Sequence, residues 1–301
     1  MLTSHAELRA AARRVGPLRV AVVDADDDVA LSAVALAAEQ QIASVMLVGN
    51  EARIRERVDR LSLGASLQAA EYVATDTPAI VAAQLASEGR ADILLKGHLR
   101  TDEMMRAVLD KSLGLRTGRL LSDVLLYEDV LSGERRLVGI TDGGLNVAPD
   151  LAQKKQIVLN AIEVLRRVGI ARPKIAILSA TEAVSSSVPS TVDAQALTEM
   201  GRAGEFGDAD VFGPLALDNA LLESAAQAKG ITHPVAGHAD CMVVANIEAG
   251  NALAKAAKYM GGSSCAHVVV GARMPILIPS RVESAEDKLN AIALGVLVAG
   301  R

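Results

Sequence analysis

Tryptophan is absent from this chain, and the other aromatics are nearly so, with two Phe and three Tyr among 301 residues. A core without large rings has to be built mainly from Ala, Val, Leu and Ile, by close packing of small aliphatic side chains. Cysteine is as scarce. Cys241 and Cys265 are too few and too far apart for a metal motif, and each sits in an apolar segment. Both read as small core residues, with the lesser alternative that one borders a substrate cleft. No run of about 18 apolar residues marks a membrane span. Met1 to Glu7 lacks the basic then apolar pattern of a secretion signal, so the cytoplasm is the default compartment. Neither sign of charge dominates: 31 Lys and Arg against 36 Asp and Glu leave a net charge of -5, which gives no basic surface for nucleic acid. There is no zinc spacing, no P-loop and no Gly-x-Gly-x-x-Gly opening a helix. Of the five scattered histidines only His98, in a loop after Lys96-Gly97, merits attention, and local hydrogen bonding is its plainer role.

What the chain does have is alternation. Strand patterns at residues 19–24 and 44–48 enclose a helix over 28–41, a βαβ unit. The cycle continues with helix 51–61, strand 71–74, helix 78–88, strand 93–95 and helix 102–111. Strands 120–128 and 136–141, parted by the polar turn Ser132-Gly133-Glu134, read as a hairpin. Helix 151–168, strand 174–179, helix 192–203, strand 211–213, helix 219–229, strand 241–245, helix 248–260 and strand 266–270 complete the series. Such alternation places helices on both faces of a mostly parallel sheet. At 301 residues the chain can form one large or two moderate domains, each able to bury a core without disulfides or metal, and no Pro/Ser/Gly-rich linker divides it.

The most informative stretch is Gly271 to Leu289, GARMPILIPSRVESAEDKL. Pro275 to Pro279 is too apolar for a loop and reads as a strand that stops at Ser280-Arg281. Ser284, followed by Ala285-Glu286-Asp287, has the form of an N-cap with acidic residues in the first turn, so a helix begins near Ser284. A hydroxyl, a guanidinium and a carboxylate thus surround a strand end and a helix start, where α/β proteins usually bind ligands. Arg281 offers a planar fork of donors suited to a phosphate or a carbonyl oxygen. The plain alternative is that Asp287 is the third residue of a capping box and Ser280 a turn residue.

An ordered set of segments favours the ligand-binding reading. Lys96-Gly97, Gly114-Leu115-Arg116-Thr117, Ile140 to Asn146, Ala148-Pro149-Asp150-Leu151, Ser190 to Ala194, Gly213 to Ala220, Val235-Ala236-Gly237 and Glu248 to Asn251 occur in an order that resembles the phosphate acetyltransferase/phosphate butyryltransferase family, from about Arg19 to the C-terminus. The resemblance implies transfer of a short acyl group between coenzyme A and inorganic phosphate, with coenzyme A as co-substrate, no other cofactor and no metal. It implies a two-domain, three-layer α/β/α fold like that of isocitrate and isopropylmalate dehydrogenases, with mostly parallel sheets and an interdomain cleft. The first domain would comprise residues 1–135 plus 279–301, and the second, inserted domain residues 136–278. It also implies a homodimer with contacts on the inserted domain, acting on small molecules and binding neither nucleic acid nor membrane.

By the same resemblance Asp287 takes the thiol proton, Ser280 holds the sulfur and Arg281 binds the phosphate or the developing oxyanion. A thiolate is needed because the neutral thiol is a poor nucleophile. A helix N-terminus favours an ionised carboxylate and weakens it as a base, so this role requires Asp287 to be desolvated when substrate binds. Otherwise Asp287 mainly orients the thiol. Arg106, one turn into the helix after Thr101-Asp102-Glu103, is a second anion contact or a solvated helix arginine. Arg116 and Thr117 are substrate-binding candidates in a loop that could equally be a helix C-terminal signal. Asp142-Gly143-Gly144 is a turn or a wall of the acyl pocket, its glycines allowing close backbone approach or positive φ angles. Asp218-Asn219 reads similarly, or as a helix N-cap. Ala245-Asn246 and Asp123 depart from the Pro-Asp and His that many relatives carry. Two other classes stand beside the enzyme: an acyl-CoA-sensing module without turnover, and a metal-dependent β-decarboxylating dehydrogenase, for which no aspartate cluster with catalytic Tyr and Lys is found around Tyr72, Tyr127 or Tyr259.

Overall fold

The computed structural model describes residues 1–131, 133 and 135–300, so Ser132 and Glu134 of the expected turn lie outside the described residues. Its first part runs α1 (His5–Val15), β1 (Leu18–Val23), α2 (Asp28–Glu39), β2 (Ala43–Gly49), α3 (Glu51–Arg60), β3 (Glu71–Ala74), α4 (Pro78–Ser87), β4 (Ile93–Lys96), α5 (Thr101–Val108), β5 (Ser122–Asp129) and β6 (Arg136–Thr141). Then come α6 (Leu151–Arg167), β7 (Lys174–Leu178), α7 (Pro189–Arg202), β8 (Asp210–Leu215), α8 (Leu217–Leu221), α9 (Glu223–Ala228), β9 (Cys241–Val243), α10 (Ile247–Lys255), β10 (Cys265–Val270), β11 (Ile276–Leu277) and α11 (Ala285–Ala299). The fold is α/β with mostly parallel strands, and most elements match the sequence expectation within a few residues. Among the described residues no helix is long and apolar enough to cross a membrane.

Three differences have local causes. The expected helix over 219–229 is broken at Leu222, which is extended at φ -114° and ψ 118°. The expected helix over 248–260 changes at Ala256 to a wider, π-type turn. Helix α1 is not apparent from sequence because its apolar stripe is only Leu8 and Ala12, one turn apart and fully buried. Arg9 Nη1 on its flank reaches Asn290 Oδ1 at 2.5 Å, which docks α1 on α11.

The chain forms two compact units, one of residues 1–5 and 120–265, the other of residues 6–119 and 266–301. These divisions differ from the expected ones after residues 135 and 278. At the first of these the reason is pairing: β5 and β6 are antiparallel neighbours from Leu125↔Ile140 to Asp129↔Arg136, so the hairpin stays whole. In the unit of residues 120–265 the strand order is β5-β6-β9-β7-β8. From β6 onward the pairs are parallel. Its core includes both Cys241 and Cys265, which are buried.

In the unit of residues 6–119 and 266–301 the order is β3-β2-β1-β4-β11-β10, parallel except where β10 meets β11. The chain steps outward from β1 to β2 and β3, then returns to lay β4 on the other side of β1. Such a reversal leaves a crevice at the carboxyl ends of the two central strands. Backbones meet closely there. Gly97 N donates to Val23 O at 2.9 Å and His98 N to Asp24 O at 2.8 Å. A Cβ on Gly97 would fall 2.2 Å from Asp24 O, so only glycine fits without a backbone shift.

Gly97→Ala is therefore expected to lower unfolding free energy by about 1–3 kcal/mol, the usual scale of overpacking. Urea titration checks this, and a loss below about 0.5 kcal/mol, ordinary for a surface change, would mean the crossing is loose.

Candidate active site

The crevice is lined by the segments that leave the carboxyl ends of β1, β4 and β11. Leu95 pairs with Leu277, so Lys96 and the run from Ile278 to Arg281 leave the sheet side by side. After β1, Asp24 takes the left-handed conformation at φ 57°, which costs a non-glycine residue energy and is common at functional sites. Burial raises the Asp24 carboxyl above its ordinary value, with Asp26 and Glu103 adding to the effect while His98 and Arg53 oppose it. Asp27 then caps α2, accepting from Ala30 N at 2.7 Å.

Helix α11 starts where its cap predicts. Ser284 is the N-cap, and Ser284 Oγ accepts from Asp287 N at 3.1 Å. Asp287 Oδ2 accepts in return from Ser284 N at 3.2 Å and Ser284 Oγ at 2.6 Å. The capping box, the plain alternative for this stretch, is thus formed. It does not put Asp287 in solvent: the residue is only 5% exposed, whereas Ser280 and Arg281 just before it are exposed. An exposed hydroxyl and guanidinium thus precede a helix whose first turn holds a buried carboxylate, a set of groups that can hold an anion and orient a proton donor.

Two lysines share the place. Lys96 is 5% exposed and Lys288 is 2% exposed. Lys288 Nζ donates to Ser280 O at 3.4 Å, and Lys96 Nζ to Gly97 O at 3.5 Å. Burial pushes the Lys96 ammonium below its ordinary value, and the charges of Lys288 and Arg281 push the same way, against Asp27 and Glu283. Burial also lowers Lys288, opposed by Asp27, Glu283 and Asp287. From sequence, Lys96 is only part of a motif and Lys288 only a helix residue. A signal exists: Lys288 sits in the second turn of a nearly all-apolar helix, close to the positive end of its dipole, where a cation is disfavoured.

The other candidates divide into two groups. Thr117 Oγ1 donates to Gly271 O at 2.5 Å, Arg116 bridges antiparallel to Ala272, and Arg273 N donates to Leu115 O at 3.0 Å. Arg116 and Thr117 are therefore stapled to the loop that leads into β11, and the exposed Arg116 side chain is held near that strand's start. Arg106 lies on α5. It lines a cavity of about 630 Å³ with Arg100, Asp76, Asp102, Glu103 and Asp110, and Ser280, Arg281 and Asp287 are not among the lining residues. There Arg106 Nη2 pairs with Asp102 Oδ2 at 2.9 Å, and carboxylates outnumber guanidiniums, so an anion must displace an existing partner.

In the other unit the Asp142 turn is built by Asp142 Oδ1 accepting from Gly144 N at 2.8 Å and Leu145 N at 2.9 Å. Burial, then the nearby Asp123, raises the Asp142 carboxyl. Its glycines serve close approach: a Cβ on Gly143 would lie 2.9 Å from the Gly250 backbone, and one on Gly144 2.9 Å from Asp123 Oδ2. Asn219 is fully buried inside α8 and donates to Glu182 Oε1, so it is not the helix cap. Among the described residues no group of three or more His, Cys, Asp or Glu side chains is placed to hold a metal ion.

Comparison with known proteins places the chain in a family. Residues 60–296 match the family model described as Phosphate acetyl/butaryl transferase. The chain is 39% identical over 301 residues to a phosphate acetyltransferase of Rhizobium meliloti, covering 99% of this chain and 94% of that one. It is 38% identical over 300 residues to a phosphate butyryltransferase of Clostridium beijerinckii, covering 98% and 97%. A crystal structure of a branched-chain phosphotransacylase from Enterococcus faecalis V583 superposes with a TM-score of 0.81 at 29% identity, over 94% of this chain and 99% of that one.

Proposed function

The chain belongs to the phosphate acetyl/butyryl transferase family and is a phosphate acyltransferase; we propose that it moves a short acyl group reversibly between coenzyme A and inorganic phosphate at the Ser280, Arg281 and Asp287 site. The observation that carries the assignment is the placement of Asp287, a carboxylate only 5% exposed in the first turn of the helix that follows the exposed Ser280-Arg281 pair. In the direction of acyl-CoA formation, Asp287 accepts the thiol proton of coenzyme A while the Ser280 hydroxyl holds the sulfur. The thiolate attacks the carbonyl carbon, the S–C bond forms, the C–O bond to phosphorus breaks, and inorganic phosphate leaves. Arg281 stabilises the negative charge that builds up on the way. Burial shields Asp287 from bulk water. Arg116 and Thr117 lie on the loop beside β11 as binding residues, and Arg106 contributes by exchanging Asp102 for a substrate anion.

The working form is a cytoplasmic homodimer with discontinuous first and inserted second domains. Tyr259 and Met260, 56% and 88% exposed on the π-type turn, give the inserted domain an apolar surface for that contact. Light scattering should register twice the chain mass at micromolar concentration, and a fully active monomer would remove the dimer.

Purified protein should release coenzyme A from acyl-CoA esters of two to five carbons only when phosphate or arsenate is present. Release without either anion, or no turnover with any ester, would favour an acyl-CoA sensor. Asp287→Asn keeps the shape of the cap yet cannot take a proton, so turnover should fall on the order of a hundredfold or more. Its melting temperature should hardly move. Ser284→Ala does the reverse, removing the cap at about 1 kcal/mol of stability and costing far less turnover. Arg281→Lys keeps the charge but loses the fork, and should lower turnover. If Asp287→Asn melts early and keeps turnover within about threefold, far short of a lost general base, the carboxylate is only a cap.

A further inference from the structure

The described residues include four buried cationic side chains, Arg136, Lys154, Lys96 and Lys288. Two of them follow the rule that a buried charge is paired. Lys154 Nζ is 2.6 Å from Asp193 Oδ2, and Arg136 Nε is 3.5 Å from Asp129 Oδ2. Lys96 and Lys288 break it. Each makes one long hydrogen bond to a main-chain carbonyl, at 3.5 and 3.4 Å, and neither has a carboxylate within 4.0 Å. An ammonium carries three N–H donors, so most of the donor capacity of both groups is unspent.

Geometry brings the two together at one point. Lys96 closes β4, the strand register places it beside the exit of β11, and Lys288 reaches the carbonyl of Ser280 on that exit. Ser280, Arg281 and Val282 above that carbonyl are exposed, so the Lys288 ammonium lies one residue below the surface. Asp27 and Glu283 act on both lysines only at longer range, and Glu283 Oε1 is engaged by His267 Nε2 at 3.4 Å. The α11 N-terminus adds partial positive charge at the same spot. Three cations converge here with no contact counter-ion, a desolvation cost that a bound dianion would offset.

We propose that Lys96 and Lys288 seat the phosphoryl group, gripping its non-bridging oxygens and leaving the Arg281 fork for the oxygen of the reacting carbonyl. This rests on the acyl transfer proposed above, and it resolves the choice between phosphate and oxyanion that Arg281 otherwise faces. The lysines are binding residues under this assignment. They should set the affinity for phosphate, while Arg281 should set the rate.

The test uses the full-length protein with Lys96→Met, Lys288→Met and the double variant, because methionine keeps volume while removing the charge. Removing an unpaired buried cation is not expected to destabilise the fold. If either variant does fail to fold, Lys96→Gln and Lys288→Gln replace it. Each single variant should raise KM for inorganic phosphate about tenfold or more, the equivalent of one charge-assisted hydrogen bond, with KM for acyl-CoA unchanged. Arg281→Lys should instead lower kcat with a smaller change in KM for phosphate. Independently of turnover, inorganic phosphate should raise the melting temperature of the parent above that in chloride of equal ionic strength, and this shift should vanish in the double variant. An unchanged KM for phosphate together with a retained shift in the double variant would overturn the assignment and leave the acyl transfer standing. A lost shift in the double variant of a protein with no acyl-transfer activity would keep the phosphate seat and sink the reaction.

Discussion

Two ammonium groups buried without a carboxylate in contact are the constraint around which the rest of this site is arranged. A fold tolerates such groups only when its other interactions exceed the desolvation cost. Here the supports are identifiable: the parallel pairing of β1, β4 and β11, the caps of α2 and α11, and the Arg9 to Asn290 contact that docks α1 on α11. Lys154 shows what the same side chain looks like when its role is structural, with Asp193 at 2.6 Å. The difference between a paired and an unpaired buried lysine is the difference between a strut and a seat for an anion.

The topology explains why the seat lies where it does. Reversal of strand order between β2-β1 and β4 opens a crevice at their carboxyl ends, and the chain returns late, through β11, to place Ser280 and Arg281 beside it. Gly97 lets the backbone after β4 pass within a Cβ radius of Asp24, which itself sits in the left-handed region. A left-handed Asp24 after β1 and a glycine-only approach after the neighbouring β4 are costly demands, and their cost is recovered only if the loops must come this close.

Much of this was legible from residue order. Ser284 as an N-cap and the start of α11 come from a hydroxyl three residues before a carboxylate and ahead of an apolar run, a local pattern that needs no tertiary information. The strands and most helices come from period alone. The illegible part depends on contacts distant in sequence. Burial of Lys96 and Lys288 arises from strand neighbours 182 residues apart, as the Leu95↔Leu277 pair records. The break at Leu222 and the division of the chain into units at Arg119 and Cys265 likewise result from packing and pairing rather than from a breaker or linker in the sequence. The glycines of the Asp142 turn could have served positive φ or close approach, and only the Gly250 backbone beside Gly143 decides for approach.

The most direct measurement is a crystal structure of the protein grown in inorganic phosphate. Phosphate density is expected at the carboxyl ends of β4 and β11, with oxygens about 2.7–2.9 Å from the Lys96 and Lys288 ammoniums and in reach of Arg281. Density bound instead by Arg100 and Arg106 in the acidic cavity, with Lys96 and Lys288 still hydrogen-bonded only to main-chain carbonyls, would contradict it.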